Sequence, residues 1–146
     1  MSNPAWADIT GKPFIVNGDT LAIAGQLIRI HGVDAPEEGQ MCGTAEAPWR
    51  CGQEAGFALA FFITSNWVTC LERGRAPSGE VTAACFAGGV GGPDIGRWLV
   101  ANGWALVPPD AVDGYAAEQE AARKAGLGLW RAPFTPPWEW RRQQGR

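Results

Sequence analysis

The chain contains a single histidine, His31, and no Cys-x-x-Cys pair. That excludes a structural zinc site, which needs clustered thiolates and imidazoles at short spacing. It has no run of about 18 apolar residues, so no segment reads as a membrane-spanning helix. No hydrophobic signal region is present either. Nor is there an excess of positive charge: 12 Lys and Arg against 15 Asp and Glu leave a formal charge of −3. Proteins that grip a phosphate backbone tightly are usually basic. The mild acidity therefore counts against strong non-specific nucleic-acid binding, but not against an enzyme that engages its substrate weakly through a metal. Internal repeats and low-complexity tracts are also lacking.

What is present fits one globular domain of 146 residues, 46% of them hydrophobic. Tryptophan is plentiful, with eight copies, and Trp130, Trp138 and Trp140 crowd the last 17 residues. Four cysteines permit two disulfides in three possible pairings. Cys70 and Cys85 each end a β-like run, WVTC and VTAAC, with a turn-rich segment between, which suggests neighbouring strands. Cys42 and Cys51 flank a loop holding Gly43 and Pro48 that would close as a small ring. Cys70–Cys85 and Cys42–Cys51 are thus the expected pairs, and four free buried thiols are the alternative. Two bridges would point to an oxidising compartment, periplasmic or secreted. The AWAD segment near the start is similar to the end of a cleaved signal, as in a mature form.

The pattern along the chain is of short strands with helices between them. Pro13 to Val16 reads as a strand entering an Asn17-Gly18 turn. Thr20 to Ala24 and Leu27 to Ile30 flank Gly25-Gln26 as a hairpin. His31 to Met41 is loop. Gly52 to Ser65 is a helix with Ala55, Leu59 and Phe62 on one face and Ala58 beside it. Trp67 to Glu72 and Glu80 to Phe86 are the next strands. Asp94 to Asn102 is a short helix stopped by Gly103, and Trp104 to Val107 is a last strand broken by Pro108-Pro109. Asp113 is placed to cap a helix from Tyr115 to Ala125, which Gly126 ends. The tail GLGLWRAPFTPPWEW has too much Gly and Pro for regular structure, so its tryptophans should pack on the domain. About five strands and three helices predict an α+β, mainly β fold: a small barrel of the oligonucleotide-binding type with a core near 13–130 and a packed tail at 131–146.

Two clusters carry chemistry. In Asn17-Gly18-Asp19-Thr20 a turn at a strand entry aims the Asp19 carboxylate away from the core, although an ordinary turn has the same residues. In RIHGVDAPEE, Arg29 to Glu38, an arginine sits inside an apolar strand, either on a solvated face or in a polar pocket. Asp34 and Glu37 follow, their spacing fixed by Pro36. Asp19 and Asp34 are suited to a hard cation such as calcium. Glu37 is suited to activating water, and Arg29 to neutralising a phosphate. A plain solvated loop is the competing reading.

VNGDT, LIRIHGVDAPE, CGQEA, LVANGWA and AxxxxxxGLW together resemble the staphylococcal-nuclease (thermonuclease) family over roughly Phe14 to Trp130. The paired signature, GDT followed by R-x-x-x-x-D-x-P-E, is specific. The resemblance implies an OB-fold, calcium-dependent nuclease that cleaves DNA and RNA phosphodiesters. It implies Asp19, Asp34 and the Ala35 carbonyl as calcium ligands, Glu37 as general base, and Arg29 as one of two arginines on the reacting phosphate. The four cysteines and PWEWR are similar to secreted or periplasmic bacterial members.

The chain also departs from that pattern. The first acid of the family's DGDT is Asn17. The loop before the fifth strand, close to D-K/R-Y-G-R in the family, is Ala76-Pro77-Ser78-Gly79-Glu80, so Glu80 stands where the second arginine belongs. Arg73 or Arg75 would have to replace it by another route. Pro108 to Ala111 stand where aromatic residues would flank a nucleotide pocket. The expectation is therefore a slow or altered calcium-dependent nuclease, a monomer acting weakly on single-stranded DNA or RNA with no membrane partner. The alternative is a catalytically inactive module on the same fold, binding a protein or a saccharide-pathway partner.

Overall fold

Alternation of apolar and polar residues shapes the first half of the chain. The structure, a computed structural model, describes residues 8–111 and 114–145. Strands β1 (Asp8–Gly11), β2 (Phe14–Asn17), β3 (Thr20–Ile23) and β4 (Gln26–Ile30) come first. Leu21, Ile23, Ile28 and Ile30 point inward, at most 3% exposed, as period-two patterning requires. A two-residue ribbon of β5 (Cys42–Gly43) and β6 (Pro48–Trp49) precedes helix α1 (Cys51–Ile63). Strands β7 (Val68–Arg75) and β8 (Val81–Ala87) form a long hairpin. Helices α2 (Ile95–Ala101) and α3 (Ala116–Ala125), a 3-10 turn (Gly128–Arg131) and helix α4 (Pro137–Gln143) complete the chain.

The main sheet is six-stranded, ordered β1-β7-β8-β4-β3-β2, and it curls into a half-barrel. Only the β4–β8 pairing is parallel, with Arg29 beside Thr82. Strand β8 alternates strictly: Val81, Ala83, Cys85 and Ala87 are buried and the residues between them are not. Helix α1 covers the curl with Ala55, Leu59 and Ile63, a four-residue spacing that holds one face against the sheet. Full burial of a Leu or Ile such as these is worth about 1.5–3 kcal/mol. The mixed α+β, mainly β class agrees with the sequence reading.

The expected count of five strands and three helices does not hold. Strand β1 begins at Asp8, in the AWAD segment read as a signal remnant, and pairs Ile9 with Cys70. The rest of that segment and Asp113 lie outside the described residues. The strand expected at Trp104 to Val107 does not form. Leu106 makes one antiparallel bridge, exchanging both backbone hydrogen bonds with Asp34 at 2.8 and 2.9 Å. Pro108 and Pro109 have no N–H to extend that ladder.

The tail was expected to lack regular structure, yet it forms a 3-10 turn and α4. Pro137 stands in the first turn of α4, where a missing N–H costs nothing. The other helix-poor stretch is explained by close approach. A Cβ on Gly128 would lie 2.6 Å from the Gly103 backbone, and Leu129 N–H donates to the Gly103 carbonyl at 2.9 Å. Trp130, Phe134 and Trp138 join Trp49 around a second small core of Cys42, Cys51, Leu106 and Leu129. Both expected disulfides, Cys42–Cys51 and Cys70–Cys85, are present. Among the described residues, no helix is long and apolar enough to cross a membrane.

Candidate functional site

The β2–β3 turn carries Asp19. Asn17 Oδ1 accepts from the Asp19 N–H at 3.0 Å, an Asx turn that fixes the carboxylate's direction. Gly18 makes the turn possible where it stands: a Cβ there would lie 2.9 Å from the Cβ atoms of both Ala35 and Ala55. The turn is thereby pressed between α1 and the loop after β4. Asp19, 5% exposed, accepts the Ala35 N–H at 2.8 Å and the Thr20 hydroxyl at 2.8 Å. Burial pushes its pKa up to about 6, partly opposed by the Ala35 N–H, with the Asp34 charge adding to the rise.

Asp34 is held by its backbone bridge to Leu106 and is also 5% exposed. The loop then turns through Pro36 to Glu37. Gly52, at the start of α1, packs against the Glu37 carbonyl so closely that no side chain fits there. Ala35, a candidate backbone ligand, is 2% exposed and lies between Asp19 and Asp34 in this arrangement. The two motifs, 15 residues apart in sequence, are thus brought together at one end of the sheet.

Arg29 stands on β4 opposite Thr20 and Thr82, its side chain 35% exposed, close enough to Asp19 to lower that carboxyl's pKa. Its partner is Glu80, at 3.8 Å between Nη1 and Oε1. The sequence reading set Glu80 in the phosphate-facing position; the structure sets it against Arg29. Arg75, one of the alternative cations, donates to the Gly79 carbonyl at 3.2 Å and lies 3.4 Å from Glu72. Arg73 is an exposed strand residue. Of the residues near the aromatic-pocket position, Tyr115 donates its hydroxyl to Asp94 at 2.9 Å, joining α3 to the cap of α2.

The residue the sequence reading missed is Arg141. From α4 its guanidinium makes a two-pronged contact with Asp34, Nη1 to Oδ1 at 3.1 Å and Nη2 to Oδ2 at 2.6 Å. Nη1 also donates to Glu37 Oε1 at 3.0 Å. The Asp34 carboxylate, with help from Glu37, holds Arg141 firmly in its charged form. Pro136-Pro137 followed by an apolar-polar run was the available helix signal; nothing in the sequence points the arginine back over 104 residues to Glu37.

No known family profile matches the chain. The succinoglycan biosynthesis protein ExoI of Rhizobium meliloti (strain 1021) is similar, 38% identical over 127 residues. The match takes in 85% of this chain and spans about 65% of the length of that relative.

Calcium, which the sequence resemblance implies, can be tested against these donors. Two carboxylates and a backbone carbonyl are hard oxygen ligands of the right kind. Among the described residues, no group of three or more His, Cys, Asp or Glu gathers to hold a metal. An ion here would rest on Asp19, Asp34, the Ala35 carbonyl and water. Both Asp34 oxygens already accept from Arg141, so an ion there would compete with that guanidinium for the carboxylate's charge.

Proposed function

We propose that the chain is a phosphodiester-cleaving nuclease of the thermonuclease type, calcium-dependent and slow, acting on single-stranded DNA or RNA in the periplasm or outside the cell. The observation that carries this reading is the Asp19–Ala35 hydrogen bond of 2.8 Å, which joins the GDT and D-x-P-E motifs in one buried cluster beside Arg29. The curled α+β sheet supports an OB-type barrel, and two disulfides support an oxidising compartment. Asp19, Asp34 and the Ala35 carbonyl would hold the ion. Calcium, when bound, would supply positive charge to the phosphate oxygens. Arg29 would orient the phosphate and meet its developing charge. Glu37 would take the proton of the attacking water as the phosphorus–oxygen bond to the leaving group breaks. Slowness follows from Glu80, because an arginine on a transferring phosphoryl group is worth roughly a thousandfold or more in rate.

The test is release of acid-soluble fragments from single-stranded DNA and from RNA, in millimolar calcium and in EGTA. Calcium-dependent release abolished by Glu37→Gln is expected. Release equal in EGTA, or none under any condition with calcium bound, would refute the reading.

A second reading has its own support. Arg29 is paired with Glu80, and Asp34 and Glu37 with Arg141, so each candidate catalytic charge has an internal counter-charge. That arrangement suits a catalytically inactive binding module on the same fold. The similarity to a succinoglycan biosynthesis protein makes a saccharide-pathway partner the one to try first.

A further inference from the structure

The C-terminal strap is tied down at three points, the last of them on the candidate site. Gly43 N–H donates to the Pro133 carbonyl at 2.7 Å. Gln40, 1% exposed and in the same loop as Glu37, donates its amide to the Thr135 carbonyl at 2.7 Å. Arg141 then closes on Asp34 and Glu37. The first two contacts engage the loop backbone and a buried amide, and they hold α4 in register over the carboxylates. The third places a cation on them. Asp34's side chain is only 7% exposed and Arg141's 25%, so the pair is shielded from water and competes strongly with other cations.

We infer that this strap is an internal inhibitor of the site: Arg141 serves as the resident cation of Asp34 and Glu37, and a divalent ion gains the site only when α4 lifts. The inference rests on the calcium reading above and adds its regulation. Its logic is population shift. A ligand that binds only the open form has its affinity reduced by the fraction of molecules that are open. The same linkage works in reverse, so a cation that takes Asp34 must loosen α4. The hinge would be Pro136, between the anchored Thr135 carbonyl and α4.

Two measurements test it. Calcium chloride is titrated calorimetrically into wild type, Arg141→Gln and Arg141→Lys, each first shown to be folded by circular dichroism. Arg141→Gln should bind calcium at least about tenfold more tightly than wild type. Arg141→Lys, which keeps a charge but loses the fork, should fall between them. In wild type alone, amide hydrogen exchange across 137–143 should speed up about tenfold at saturating calcium while β8 stays protected. Equal affinities in wild type and Arg141→Gln, or unchanged exchange at saturating calcium, would overturn the inference and leave calcium binding standing. No calcium binding by any of the three proteins would overturn the calcium reading and the inference together. Should Arg141→Gln fail to fold, the exchange result on wild type decides.

Discussion

Replacing Glu80 by glutamine should free Arg29 to hold an anion. In the structure the two side chains meet at 3.8 Å, 35% and 25% exposed. At that distance a unit-charge pair interacts by about 1 kcal/mol in bulk water and about 4 kcal/mol at an effective dielectric near 20. Partial exposure and salt screening place the net value near the lower figure. The pair therefore adds little to stability, and Glu80→Gln should leave the melting temperature nearly unchanged. A phosphate brought to Arg29 also meets the Glu80 charge directly, so the substitution removes both competition and repulsion. Together these should tighten single-stranded oligonucleotide binding by about 1–2 kcal/mol, roughly 5- to 30-fold in Kd. Fluorescence anisotropy of a labelled dodecamer at low and moderate salt measures it, and the gain should shrink as salt rises. Glu80→Arg should add further affinity and raise any cleavage rate, because it sets a second cation opposite the phosphate. Unchanged affinity for Glu80→Gln across salt, with Arg29→Ala equally without effect, would refute the placement of Arg29 at an anion site.

Other consequences can be measured more briefly. Deleting residues 134–146 removes Phe134, Trp138 and Arg141 and leaves Asp34 buried without its counter-charge; about 5 kcal/mol of stability should go, a fall of about 10–20 °C in melting temperature by calorimetry. An unchanged melting temperature would mean that the tail is not docked in solution. Alkylation of native protein should find no free thiol, and Cys70→Ala with Cys85→Ala should cost about 3 kcal/mol for the 15-residue loop. Asp19 has its folded pKa near 6 against 3.8 when unfolded, so the native state binds the proton more tightly. Its contribution is therefore most favourable below about pH 4 and is lost as pH rises to about 6, by about 3 kcal/mol at most. The stability difference between wild type and Asp19→Asn, followed by urea unfolding from pH 4 to 7, should swing toward the variant over that window, and a flat difference would contradict the burial argument.

The parts of this fold that were legible in the sequence are those set by local pattern. The Thr20–Ile30 hairpin, α1, the β7–β8 hairpin and both disulfides follow from alternation, a four-residue apolar spacing, and cysteines placed on neighbouring strands or on either side of a short loop. Asp19 meets the Ala35 N–H, and Asp34 and Glu37 share Arg141, because Gly18 and Gly52 let α1 press against both loops. What could not be read was set by distance. Strand β1 is four residues long and pairs with β7 about 60 residues away, with no alternation of its own to mark it. The strand at Trp104 to Val107 reduces to one bridge because two prolines follow it. The partner of Asp34 lies 107 residues downstream, in a segment whose proline content argued against a helix when Pro137 in fact starts one.

The two arginine contacts also bear on why an acidic cluster can stay buried here at all. Asp19 and Asp34 are both 5% exposed and close enough to raise Asp19's pKa. A buried carboxylate pair without compensation costs several kcal/mol. Asp19 is eased by an N–H, a hydroxyl and a share of its proton, while Asp34 relies on Arg141. On the calcium reading, folding and ion binding would therefore draw on the same carboxylates. Any substitution that strengthens the Arg141 clamp should stabilise the domain and close the site, and any that weakens it should do the opposite. Stability and cation affinity measured across a set of Arg141, Gln40 and Trp138 variants should consequently run in opposite directions. A set in which both rise together would show that α4 supports the site from outside and does not fill it.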